Sequence, residues 1–169
     1  MRTILFIVFL FFATGATAGD GNGRVFTKKL LALIDQADRI VVIEHSDQND
    51  AIDFNAEESL IRSEIVYGQL ALSRGQVDLL RKTVSKFRAE PSGWSPACVI
   101  EVHHTIKFYL KENLISTMDI CFHCRQIRWD RDNSTPSERM FKALGGFITA
   151  IGYAPVRDWR AMAMARLGQ

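Results

Sequence analysis

The chain has 169 residues, with 21 Lys and Arg against 19 Asp and Glu, for a formal net charge of +2. A balance so near neutral argues against nucleic acid or an anionic membrane as partner, because either favours a basic excess. The length suits one domain with an ordinary hydrophobic core.

Met1 and Arg2 give a short, positively charged start, followed by an unbroken apolar run from Ile4 to Ala13. That run is too short for the roughly 20 residues that cross a bilayer. Ala16-Thr17-Ala18 then matches the small-residue cleavage pattern of a secretory signal peptide. The expected organisation is a signal peptide over residues 1–18, cut after about Ala18, and a single α+β domain over 19–169. The protein is then periplasmic or secreted, with no integral membrane segment left after cleavage. Loss of Arg2 takes the net charge from +2 to +1.

Gly21-Asn22-Gly23 reads as a flexible lead. From Arg24, Phe26, Leu30, Leu33, Ile34 and Ala37 recur at the spacing of one buried helix face. The β-branched run Arg39 to Glu44 predicts a strand. Ser46 to Asn55, rich in Asp, Asn and Ser, reads as a loop that lacks the calcium-loop spacing. A strand is expected over roughly Glu64 to Leu72. Ser73-Arg74-Gly75-Gln76 then forms a capping box that opens a helix running to about Arg88. Pro91, Gly93 and Pro96 mark a loop.

From Cys98 to Trp129 apolar and polar residues alternate, the period of half-buried strands. Two strands joined by Lys111-Glu112-Asn113 are expected, Asn supplying the positive φ of a three-residue loop. Thr135 as N-cap and Pro136 at the first position open a helix whose buried face carries Met140, Phe141, Leu144, Phe147, Ile148 and Ile151. Gly152 and Pro155 end it, and a last short helix falls within Val156 to Gln169. The expected fold is α+β: a four-stranded antiparallel sheet with helices packed on one face. The similar lengths of its two strand-strand-helix halves suggest a ββα pseudo-repeat, without sequence identity to support it.

Pairing Leu110 with Leu114 puts Ile106, Phe108, Met118 and Ile120 on one face and polar residues, with Thr105 opposite Asp119 among them, on the other, whereas a one-residue slip mixes the sets. In this register His103 faces Cys121 and Glu101 faces His123. Glu101, His103, Asp119, Cys121 and His123 then form a polar cluster that offers zinc or another transition metal its ligand types. The simpler reading is a solvated sheet face, with no cofactor. Export to an oxidising compartment favours a disulfide. Cys98 and Cys124 share a face, so their pairing is expected, with Cys121 free or metal-bound. Cys121 and Cys124 resemble a redox pair in spacing, but no helix follows to lower a thiol pKa.

The stretch Cys98 to Trp129, about a fifth of the chain, resembles a group of uncharacterised exported bacterial proteins. The elements of likeness are Cys98, the His103-His104 strand and Ile120-Cys121-Phe122-His123-Cys124. A Pro-Arg-His run associated with the first strand is replaced here by Glu101-Val102-His103. The resemblance implies kinship and supplies no chemistry.

Three functions follow, in order of preference. The first is a small exported binding protein with a protein partner, for example an immunity or inhibitor protein acting on a secreted toxin or hydrolase. The second is a metal-binding protein using the polar face of the 98–129 hairpin. The third is a hydrolase using Glu57 and Glu58, or His45 with Asp47, although nothing in the sequence places these at a common cleft.

Overall fold

The computed structural model describes residues 21–53, 58–87, 98–132 and 136–168. The expected signal peptide, Glu57 and Thr135 lie outside them. The first helix, α1 (Gly21–Gln36), already includes the glycine lead. It feeds the strand β1 (Arg39–His45). A one-turn 3-10 helix at Gln48–Asp50 follows, then a short ribbon of β2 (Ile52–Asp53) and β3 (Glu58–Ser59). β4 (Val66–Ala71) and α2 (Arg74–Ser85) complete the first half. The capping box at Ser73 forms as expected, its side chain accepting from Gln76 N–H while Gln76 accepts from Ser73 N–H.

The second half contains β5 (His104–Leu110), β6 (Asn113–Cys121), β7 (Gln126–Trp129), α3 (Glu138–Ala150) and α4 (Trp159–Leu167). The main sheet is antiparallel and has five strands, ordered β4-β1-β5-β6-β7, rather than four. The extra strand arises because the expected run from Leu114 to Trp129 reverses at residues 122–125, where Arg125 takes φ 52°. Apolar alternation continues through Phe122 and Cys124, and the turn contains no Gly, Pro or Asn, so periodicity alone does not expose it. Three strands in the second half also break the ββα pseudo-repeat.

The β5–β6 register holds from His104 opposite Ile120 to Phe108 opposite Ser116, then shifts by one residue. The loop is therefore Lys111-Glu112 rather than three residues, and both adopt positive φ (50° and 67°). Such two-residue turns match strand twist and usually use Asn or Gly. Here tertiary contacts hold the less suited residues: Lys111 N–H donates to Asp38 at 2.7 Å, and Glu112 pairs with Arg39 at 3.1 Å. At α3 the N-cap is Ser137, whose Oγ accepts from Met140 N–H, so Glu138 opens the helix.

α1, α2 and α3 bury one face of the sheet. Phe26, Leu30, Leu80, Val84, Leu144 and Ile148 meet Ile40, Val42, Ile106, Phe108, Met118 and Ile120 in one core. Trp129 closes its edge, with its ring 5.1 Å from Phe26 and its indole N–H donating to Ser116 Oγ at 2.8 Å. α4 stands apart from that layer. Its Ala163 joins Ala51 and Ile61 in a second small apolar cluster, and its Trp159 seals the sheet end where β1 finishes and β5 begins. The Cys98–Cys124 disulfide forms with Cα atoms 5.8 Å apart, and ties the lead into β5 to the β6–β7 turn. Cys121 is free and buried. No helix among the described residues is long and apolar enough to cross a membrane.

Candidate functional site

On the sheet face opposite α1–α3, a polar row crosses four strands. Asp119 lies directly opposite Thr105 on one side and Arg128 on the other. Direct cross-strand neighbours start close enough for their side chains to meet. Arg128 clamps Asp119 Oδ2 through Nε at 3.1 Å and a terminal nitrogen at 3.0 Å. Thr105 donates its hydroxyl to Asp119 Oδ1 at 2.8 Å. His45 reaches the row diagonally from β1, with Nε2 2.9 Å from Thr105 Oγ1. Its Nδ1 lies 3.0 Å from the Ser46 carbonyl oxygen and 3.6 Å from Glu64.

The segments beside this row are fixed by their own backbone needs. Ser46 N–H donates to the Ile65 carbonyl and Ser46 Oγ accepts from Ile65 N–H, each at 2.9 Å, so the lead into β4 lies beside the end of β1. That places Glu64 at His45. Asp47 caps the Gln48–Asp50 turn with Oδ1 and accepts from Val102 N–H with Oδ2, both at 3.0 Å. The result is an open cleft of about 250 Å3 lined chiefly by His45, Asp47, Glu64, Thr105, Asp119 and Arg128, with Ile61 and Val102 as apolar wall. His45 and Asp47 do share a cleft, which the sequence did not reveal because it depends on pairing β1 between β4 and β5.

The same sheet end holds two further buried histidines with different fates. His103 Nε2 pairs with Asp50 at 2.8 Å, and its ring stacks on Trp159 at 4.4 Å, with the planes 4° apart. His104 points to the core side between the edges of Phe122 and Trp159. Neither of its ring nitrogens has a hydrogen-bond partner. Burial, reinforced by the charges of His103 and His45 and opposed only in part by the nearby Ala154 backbone, which is not aligned for a hydrogen bond, pushes its pKa down to about 3. It is therefore a neutral ring at ordinary pH.

The expected cluster on the 98–129 hairpin is dispersed. The ladder begins only at His104 and β6 ends at Cys121, so His103 does not face Cys121 and Glu101 does not face His123. His103 turns to Asp50, and Asp119 is held by Thr105 and Arg128. Cys121 is buried and its sulfur accepts from Cys124 N–H at 3.2 Å. His123 is exposed in the turn, and Glu101 is half-buried ahead of β5. Among the described residues no group of three or more His, Cys, Asp and Glu is placed to hold a metal ion. The groups that do converge, His45, Glu64 and Arg128, carry no mutual spacing in the sequence; only Thr105 and Asp119 were legible as neighbours on a polar face. No family model, no curated protein and no solved structure matches the chain.

Proposed function

We propose that this chain is an exported binding protein that engages a protein partner through the polar cleft at His45. The observation that carries the reading is that the cleft's central groups are already tied to one another. Both His45 nitrogens, both Asp47 oxygens and both Asp119 oxygens have partners within the protein. A general base needs a free lone pair within reach of its substrate, whereas a recognition surface gains from groups held in advance. Glu64 and Arg128, the more exposed members, supply the charge pattern that a partner would read.

The disulfide fits an oxidising compartment. An immunity or inhibitor role, neutralising a secreted toxin or hydrolase, is the form of binding this small format favours. The test is affinity capture from the protein's own compartment, run in parallel with wild type and the charge-reversed Glu64→Lys and Arg128→Glu variants. A protein captured by wild type and lost from both variants is expected. Capture that survives both reversals overturns the cleft as the contact surface, and no captured protein overturns the binding role.

A further inference from the structure

A second cavity opens on the other side of the same sheet end, between α4, the last residues of β1 and the first residues of β4. It measures about 380 Å3, within the size range of small-molecule sites, and its walls include Glu44, Tyr67, Tyr153, Arg157, Met162 and Arg166. Glu44 is the deepest charged group, 3% exposed. Its contacts with the described residues all use Oε1: Arg157 Nε at 3.0 Å, Ala154 N–H at 3.4 Å and His104 Nε2 at 3.7 Å. A carboxylate can accept about four hydrogen bonds across its two oxygens, so the second oxygen is available to another donor. Tyr153 is fixed beside it. Its ring lies over Gly68, the residue paired with Glu44, where an added Cβ would meet ring carbon Cε1 at 2.7 Å. Only glycine leaves room for that ring.

Arg166, in the last turn of α4, lines the same cavity and has no ion-pair or hydrogen-bond partner among the described residues. Among the described residues the cavity thus holds one buried carboxylate partly satisfied by Arg157, one guanidinium with no ion-pair partner and two phenol rings. The carboxylate favours a cationic donor, whose charge also suits the faces of Tyr67 and Tyr153. The guanidinium favours a carboxylate, which it can grip with two parallel hydrogen bonds. We propose that this cavity binds a small zwitterion, with free α-amino acids as the class that fits. The ammonium group then goes to Glu44 and the carboxylate to Arg166, with the ligand's side chain toward Met162.

The inference is independent of the proposed partner cleft and needs no partner to test. NMR titration of the full disulfide-bonded chain with the standard amino acids one at a time is expected to shift signals of Tyr67, Tyr153 and Arg166 saturably. Whichever amino acid binds best is then compared with its N-acetyl and its amide derivative. Each blocked form removes one charge, and each is expected to bind about tenfold more weakly or worse. The N-acetyl form tests the Glu44 half without disturbing a buried pair in the protein. Arg166→Ala, at an exposed position, tests the other half and is expected to give a similar loss. The proposal is overturned if no amino acid shifts these signals at millimolar concentration. It is equally overturned if either blocked form binds as well as the free amino acid, or if Arg166→Ala binds as well as wild type.

Discussion

The two faces of one sheet end solve the problem of buried polarity in opposite ways. On the face away from α1–α3, His45, Thr105, Asp119 and Arg128 satisfy one another across four strands. On the core side, His104 is fully buried with neither ring nitrogen paired, 3.7 Å from a Glu44 whose near oxygen already serves Arg157. The first arrangement loses hydrogen bonds if any member is removed, while the second loses none when His104 becomes apolar. A buried polar group therefore contributes according to its partners rather than its type.

The largest effect separating the two faces is expected from the core. Phe108→Ala removes a fully buried ring from the cluster beneath the helices and should cost about 3–5 kcal/mol in denaturant unfolding. A smaller loss on the opposite face alone would be consistent with this division, and a cost below about 1 kcal/mol would break it. Next comes the covalent tie: Cys98→Ser should cost about 2–4 kcal/mol, and reducing the wild type should give the same loss. Peptide mapping should recover Cys98 linked to Cys124 and Cys121 unmodified until the protein is denatured.

Thr105→Val removes the hydroxyl that joins His45 to Asp119 and should cost about 1–3 kcal/mol, because the buried His45 and the partly buried Asp119 each lose a bond. His104→Leu should be near neutral at pH 7 and stabilising in acid. The sign follows from linkage. His104 titrates near 6.5 when unfolded and at about 3 when folded. Below pH 6.5 the unfolded state takes a proton that the folded state refuses, so stability falls as pH drops from about 6.5 toward 3, by roughly 1.4 kcal/mol per unit. The leucine variant should lack that part of the slope in unfolding measured against pH; an unchanged slope would show that His104 does not carry it. Smallest of all, Arg128→Ala should change stability by less than about 1 kcal/mol, since the arginine side chain is 67% exposed.

Much of the framework was legible before the structure. The capping box at Ser73, the apolar faces of α1 and α3 and the His104–Phe108 register follow from periodicity and local chemistry. The Cys98–Cys124 bond followed from face assignment combined with the expected export. What escaped depended on distant contacts. Lys111 and Glu112 adopt an unfavourable turn that Asp38 helps to hold through the Lys111 N–H, with Arg39 beside the exposed Glu112. The turn at 122–125 is hidden by alternation that runs straight through it. Of the cleft, Thr105 and Asp119 share a hairpin and were visible as neighbours. His45 and Glu64 join them only once β1 lies between β4 and β5, an order that no local pattern specifies.

The ring stack that anchors α4 also makes an optical gauge of the chain once its third tryptophan, Trp94, which lies outside the described residues, is replaced by phenylalanine. Trp129 sits in the main core at 3% exposure, while Trp159 lies flat against His103 and stacks on Tyr67 at the far end of the sheet. Undocking α4 would carry Trp159 into water and leave Trp129 in place. A red shift in emission that precedes global unfolding, and that Trp159→Phe abolishes, would therefore time the departure of the last helix separately from the melting of the core.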